Sequence, residues 1–299
     1  MEPDTRDVTV IEKELFERWK GVPPDGFQAF QSLRALVTQE TRFPEIASLD
    51  TLNGLMLLVY QALLRKHQIA PRGVVHVGAH TGSELQLYLE LGFARALLLE
   101  PNPILHEPLH HRRDHYNQLV ASLADLVDAR LSPDNSWARP WCVVLPYAAG
   151  ARDAEAQLHC VADTRLSSLL PISQATLEGG VTGRVTVPLR TLDSIADELR
   201  GSWSPGELNV MWVNVQGTEL DVLRGAAALL AQLELVAVEL SYERRYQDEC
   251  TPAQVDACLR SHGFAPTFGL GVPQGGMRFY ARLRRPGDRY QAVEGETAG

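Results

Sequence analysis

The chain has 299 residues, 45% of them apolar, enough for one large α/β domain with an appendage or for two small domains of ~150 residues each. Twenty-eight Lys and Arg against 37 Asp and Glu leave a net charge of −9, without the basic stripe that a nucleic-acid backbone requires. Cys142, Cys160, Cys250 and Cys258 form no C-x-x-C pair, which argues against a zinc ribbon, a thioredoxin-type site or a dense disulfide framework and for reduced intracellular thiols.

The opening Met1–Asp7 has no basic stretch followed by an apolar one, so no secretory signal is read. The longest clean apolar run, Leu55–Tyr60, is far short of the ~18–20 residues of a membrane span. The expectation is a cytoplasmic protein.

In chain order, residues 1–69 read as a helical extension. Val10–Trp19 and Leu52–Lys66 carry apolar residues at three- and four-residue spacing, punctuated by Pro23-Pro24 and Phe43-Pro44. The expected role is packing, against the chain's own core or, through Leu52–Lys66, in a homodimer; a lid over a ligand site is the second reading. From residue 70 short β-rich runs alternate with helical stretches, the pattern of a mostly parallel sheet covered on both faces. Strands are predicted at Gly73–Val77, Ala96–Glu100, Cys142–Pro146, Asn209–Val215, Leu235–Leu240, Phe264–Gly269 and Met277–Leu283. Helices are predicted at Ser83–Leu91, Pro103–Arg113, Leu192–Leu199, Glu219–Leu230 and Pro252–Ser261, with a further helix and loop over Asn117–Pro140. This divides the chain into an extension (1–69), an α/β domain (70–283) and a polar tail (284–299) expected to fray.

Four strand ends carry the chemistry. The first strand runs into Gly78-Ala79-His80-Thr81-Gly82 before a helix, a turn in which backbone N–H groups and a helix N-terminus can face a ligand; close packing alone is an equal reading. The second strand ends in Glu100-Pro101-Asn102, placing a carboxylate where it can accept from both hydroxyls of an adenosine ribose. The turn fails the G-x-G-x-x-G spacing that a dinucleotide's pyrophosphate wants, so a cofactor without phosphate, such as S-adenosylmethionine, fits better. Further on, Asn209–Val215 delivers Asn214 and Gln216 ahead of a Gly turn, and Val236–Leu240 carries Glu239. A lone glutamate there could equally cap a helix or pair with Arg244 or Arg245. His106, His110, His111 and His115 share helix faces at i, i+4, but nothing completes a metal site, so a solvated face is expected.

The blocks G-V-V-H-V-G-A-H-T-G, L-L-L-E-P-N-P, S-S-L-L at 167–170, T-L-D at 191–193, V-N-V-Q-G-T-E-L-D-V-L-R-G-A and V-A-V-E-L together resemble, in the same order, the FkbM-type S-adenosylmethionine-dependent methyltransferases. The resemblance spans residues 70–283. It implies an α/β, Rossmann-like class I methyltransferase sheet, mostly parallel and seven-stranded, and O-methylation of a hydroxyl on a sugar, glycan or secondary metabolite, with S-adenosylhomocysteine as product.

By that resemblance Gly78, Ala79, His80, Gly82, Glu100, Asn102, Tyr147, Ala148 and Ala149 meet the cofactor and Ser167 and Ser168 lie near the cofactor or acceptor; His76, Thr81 and Pro101 of the same blocks are counted with the cofactor set, while the strand ends add Asn214, Gln216 and Glu239 on the acceptor side and Tyr242 lines either an acceptor pocket or an exposed loop. Alcohols are weak nucleophiles at neutral pH, so a base or an acidifying metal is expected beside the acceptor. Glu239 is the leading base and His80 the second, with Asn214 orienting. Asn214 and Gln216 stand where the family commonly has Asp and Glu or Gln. An amide takes no proton and is a poor ligand for a hard cation, which speaks against a base or magnesium at that strand. The competing readings are a catalytically altered adenosine-ligand-binding or scaffold protein and an NAD-dependent oxidoreductase.

Overall fold

The computed structural model describes residues 51–126, 140–173, 180–200, 206–272 and 275–283. The helix expected at Val10–Trp19, most of the loop expected before Pro140, and the tail lie outside these residues. Helix α1 (Thr51–His67) leads to β1 (Gly73–Val77), α2 (Leu85–Glu90), β2 (Arg95–Leu99) and, through a 3-10 turn at Pro103–Leu105, α3 (His106–Leu126). Next come β3 (Cys142–Leu145), β4 (Ala148–Ala149), β5 (Ala154–Val161), a 3-10 turn at Thr164–Leu166, β6 (Val181–Arg190) and α4 (Leu192–Leu199). The remainder is β7 (Val210–Val213), α5 (Glu219–Arg224), α6 (Ala227–Leu230), β8 (Leu235–Ser241), α7 (Pro252–Ser261), β9 (Phe264–Val272) and β10 (Gly275–Arg282).

The seven strands expected from the sequence form one sheet in the order β3-β2-β1-β7-β8-β10-β9. Every pairing is parallel except the two that β10 makes. The central strands are near-continuous apolar runs, buried along their length, as strands covered on both faces must be. Alternation then splits their side chains. Val74, His76 and Trp212 face α1–α3, whereas Val75, Val77, Met211 and Val213 face α4–α7.

Helix α1 belongs to this core: Leu57, Tyr60 and Leu63 are fully buried against the sheet, each burial contributing roughly 1.5–3 kcal/mol. The apolar face that the sequence offered as a dimer surface is spent inside the chain. The helix expected over Glu219–Leu230 is broken into α5 and α6. The break has a cause: the Gly225 carbonyl accepts from Asp193 N–H (3.0 Å), and the Asp193 carboxylate accepts from Ala228 N and Leu229 N (2.9 Å each). The T-L-D block is therefore a cap for the following turn, placed by Thr191, whose hydroxyl accepts from Ser194 N.

A second sheet, β4-β6-β5, was not expected. Its strands lack a strong apolar alternation because β6 is largely exposed, and Pro188 and Gly183 read as strand breakers. Pro188 is tolerated because β4 pairs only with Leu189 and Arg190, leaving that side of Pro188 without a ladder to lose. This sheet carries the Thr164–Leu166 turn over the carboxyl edge of the large one.

At that edge β1 and β7 run very close. A Cβ at Gly78, whose φ is +81°, would lie 1.9 Å from the Asn214 carbonyl oxygen, so only glycine fits. Gly78→Ala is expected to cost on the order of 2–4 kcal/mol, read as a lowered thermal unfolding midpoint. An unchanged midpoint would contradict the close approach.

Candidate active site

The carboxyl ends of β1, β2, β7 and β8 meet at one edge of the sheet, where open α/β sheets place their ligands. Beyond β1 the backbone turns through Gly78, His80 (φ +51°) and Gly82 (φ +70°), and both Gly78 N and Ala79 N donate to the Leu99 carbonyl at 2.9 Å. The turn is thereby clamped to β2. Glu100, next after β2 and 6% exposed, completes the clamp: its carboxylate accepts from His80 N and from Asn102 N, each at 2.8 Å. Burial raises its pKa, and the two backbone N–H groups act against that rise. A carboxylate offers about four lone-pair directions, so acceptor capacity remains for vicinal hydroxyls.

A cavity of about 430 Å³ opens between this turn and the Thr164–Leu166 segment, within the roughly 300–1,000 Å³ range of small-molecule sites. His76, Gly78, Ala79, His80, Glu100, Pro101, Tyr147, Ala148, Ser167 and Ser168 all line it, as do Asn214, Gln216 and Glu239. Thr81, Gly82 and Asn102, expected beside the cofactor, lie outside its wall. Gly82 makes the turn into α2, with Leu109 where a Cβ would go, and Asn102 is buried with its side-chain Oδ1 accepting from Ile104 N.

Two histidines of the first block have separate surroundings. His76 is 3% exposed, bonded through Nδ1 to the Tyr88 hydroxyl (3.0 Å) and stacked on Trp212. Burial pushes its pKa down to about 3, so it is neutral at any ordinary pH. His80 bonds through Nε2 to the Thr164 hydroxyl (2.7 Å); burial and then Arg165 lower its pKa. It ties the small-sheet segment to the first turn. Ser168 makes a second tie, donating to the Gln216 carbonyl (2.7 Å), while Ser167 accepts from Val161 N (3.4 Å).

A second cavity, about 310 Å³, lies on the far side of β7 and β8 and takes in Asn53 and Met56 of α1 and Leu270 and Met277 of β9 and β10. Glu84, Trp212, Asn214, Gln216, Glu239 and Arg245 line both cavities, which therefore adjoin along these residues. His80 does not reach the second cavity. Tyr242 lines neither and packs against the α4–α7 core; Tyr246 takes the aromatic place in the second cavity.

Glu239 is one of the residues that line both cavities. Burial, then Glu219 and Glu84, raise its pKa to about 7, against Arg245 and a hydrogen bond from the Asn214 side chain. Glu219 is itself buried, accepting from Gly217 N (2.9 Å) and the Cys250 thiol (3.2 Å). A carboxylate titrating near neutrality beside a second cavity has the properties of a general base.

Glu84, Trp212, Glu219 and Thr164 were not singled out in the sequence. Glu84 and Glu219 read as ordinary first-turn acids, Trp212 as a core residue, and Thr164 belongs to the unexpected sheet. Of the α3 histidines, His106 is not simply solvated: its Nε2 contacts the Glu100 carbonyl at 2.9 Å and its ring stacks on His110. Among the described residues no group of three or more His, Cys, Asp and Glu side chains could hold a metal ion, and no helix is long and apolar enough to cross a membrane.

Residues 76–266 match the methyltransferase FkbM domain. No curated protein is significantly similar in sequence. Among solved structures, the magnesium protoporphyrin IX methyltransferase of Synechocystis PCC 6803 with bound S-adenosylmethionine aligns at 10% identity over 95% of this chain and 100% of its own, with a TM-score of 0.36. The METTL16 methyltransferase domain aligns at 12% identity over 94% of both chains (TM-score 0.43), and a putative RNA methyltransferase of Pyrococcus horikoshii at 9% over 86% of this chain and 100% of its own (0.34). Likenesses this weak carry none of the assignment, which rests on the family match over most of the chain; that match also sets aside the oxidoreductase reading. The chain belongs to the FkbM family of S-adenosylmethionine-dependent methyltransferases.

Proposed function

We propose that this enzyme methylates a hydroxyl of a small polar acceptor, a sugar, glycan unit or secondary metabolite, seated in the second cavity. The observation that carries the reading is the position of Glu239, which lines both cavities. S-adenosylmethionine, when bound, supplies an electrophilic methyl group on a sulfonium. The first cavity fits it: Glu100 has acceptor capacity left for a ribose, and the Gly78–His80 turn brings no side chain across the cavity floor at Gly78. Glu239 then takes the acceptor's proton, and Asn214 and Gln216 orient the reacting groups. The polar lining of the second cavity, with Asn53, Gln216, Ser241 and Arg245, supplies the hydrogen-bond partners that a polyhydroxyl compound needs. Alignment of the acceptor oxygen with the methyl carbon and sulfur, where the two cavities adjoin, provides the main rate advantage.

Three results would test this. Glu100→Gln should weaken binding of S-adenosylmethionine and S-adenosylhomocysteine by about tenfold or more in calorimetric titration, since hydrogen bonds to a charged group contribute about 1.5–3 kcal/mol; unchanged affinity would remove Glu100 from the cofactor site. Glu239→Gln should lower kcat by about 10²–10⁴-fold with cofactor affinity retained, in a methyl-transfer screen of hydroxylated acceptors that includes amines. Transfer to amines alone would overturn the hydroxyl assignment, and cofactor binding without any transfer would favour the scaffold reading.

The same variant has a stability signature. With a folded-state pKa of about 7 against an ordinary 4.5, Glu239 holds a proton in the folded chain that the unfolded chain has released. Its contribution therefore falls as pH rises from about 4.5 through 7, and above 7 the full cost of the buried charge remains. Glu239→Gln should raise the thermal midpoint at pH 8, an effect on the order of 3 kcal/mol, and leave it nearly unchanged at pH 4. Equal shifts at both pH values would contradict the buried charge.

A further inference from the structure

Among the described residues Arg245 is the one cationic side chain on the second cavity, and it lines the first as well. Its backbone is tied at both ends. The N–H donates to the Glu249 carboxylate (3.1 and 3.2 Å), and the carbonyl accepts from Ser173 N (3.1 Å). Tyr246 fixes the next step of the loop: its N–H donates to Glu249 (3.1 Å), and its hydroxyl reaches the Leu166 carbonyl (2.9 Å) and Gln216 Oε1 (3.3 Å). The half-buried guanidinium on this fixed stem is left over. Among the described residues it makes no hydrogen bond and no ion pair, although it carries five donors in a planar fork. Arg165, the other arginine of the first cavity, is by contrast forked onto Asp163 at 2.9 and 2.7 Å.

The acids around Arg245 do not answer that fork. Glu219 accepts from Gly217 N (2.9 Å) and the Cys250 thiol (3.2 Å), and Glu84 from the Ser83 hydroxyl (2.8 Å). Glu239 is near enough for the charge of Arg245 to act on it, but the two form no ion pair. A guanidinium held on a rigid stem without a protein partner is preorganised for an oxyanion, which matches its fork with two parallel hydrogen bonds. We infer that Arg245 binds an oxyanion of the acceptor, and that the substrate is an acidic hydroxy compound, a sugar acid, hydroxycarboxylate or phosphorylated sugar, in place of a neutral polyol. The cofactor carries a carboxylate of its own, but Ser241 and Tyr246, on either side of Arg245 in the chain, line the second cavity and not the first. The inference rests on the reading of the second cavity as the acceptor site for the owner of the anion, and not for the anion site itself.

The test reads the oxyanion site before any acceptor is in hand. In the full chain saturated with S-adenosylhomocysteine, the Arg245 Nε–H resonance, assigned by its loss in Arg245→Lys, is followed by NMR as inorganic phosphate and then acetate are added. A saturable shift is expected, and no shift with either anion would overturn the inference. Two further arms identify the owner. Arg245→Met should leave S-adenosylhomocysteine affinity within about twofold of wild type in calorimetric titration. A loss of about tenfold or more, absent with the decarboxylated analogue of that ligand, would give the site to the cofactor's carboxylate and overturn the acceptor assignment. In a methyl-transfer screen that pairs each neutral sugar with its sugar acid and its phosphate, the acidic members should be preferred. Arg245→Met should raise their KM by about tenfold or more with kcat little changed; equal transfer to neutral and acidic members would overturn the inference. Should Arg245→Met fail a thermal-unfolding check, Arg245→Lys, which keeps the charge but not the fork, replaces it in both arms with a smaller rise in KM. The two readings fail separately. A phosphate shift at Arg245 with transfer to amines alone keeps the anion site and removes the hydroxyl, whereas transfer to neutral hydroxyls with no phosphate shift does the reverse.

Discussion

The carboxyl ends of β1 and β7 approach so closely that a methyl group at Gly78 would meet the Asn214 carbonyl, and the remaining features of the site depend on that contact. The Asn214 N–H donates to the Val77 carbonyl at 2.9 Å, continuing the ladder one residue past the strand. Two turns that would otherwise diverge are thereby held side by side. One leads to His80 and the Glu100 clamp, the other to Gln216 and Gly217. Trp212 of β7 and Glu239 of β8 line both cavities beside this contact.

Two carboxylates at this edge, Glu100 buried and Glu239 half-buried, have different surroundings. Glu100 receives two backbone N–H groups, which favour its ionised form and limit what burial does to it. Glu239 has Glu219 and Glu84 for neighbours, which add to the effect of burial and bring its pKa to about 7. The first is suited to accepting hydrogen bonds from a ligand, and the second to exchanging a proton at neutral pH. Environments that push like groups apart are how one sheet edge supports binding and proton transfer together. The amides Asn214 and Gln216 line the same two cavities without titrating. What looks at first like the loss of a carboxylate at that strand is compatible with catalysis when the base stands on the next one.

The large sheet was legible because its central strands are continuous apolar runs, as in Val74–Val77 and Val210–Val213, and because each ends in a glycine turn or a lone acid. Glu100, Gly78 and Glu239 stand where the strand-end rule puts them. The small sheet was hidden for a physical reason: a strand with one exposed face and a proline at position 188 has neither the alternation nor the composition of a strand. Hidden with it were Thr164 and Leu166, and so the partner of His80 and the second acceptor for Tyr246. The break between α5 and α6 was invisible because it is enforced from a distance by Asp193. Tyr242 and Tyr246 are indistinguishable in sequence, yet Tyr246 lines the second cavity and Tyr242 packs against the α4–α7 core.

The central claim is that a cofactor cavity and an acceptor cavity adjoin at Asn214 and Glu239. A crystal structure of the full chain with S-adenosylhomocysteine tests it most directly. The account predicts the ribose on Glu100, the sulfur facing Asn214 and Glu239, and the second cavity open beyond it. A ligand lying in the second cavity, or a sulfur turned away from Glu239 toward solvent, would contradict it.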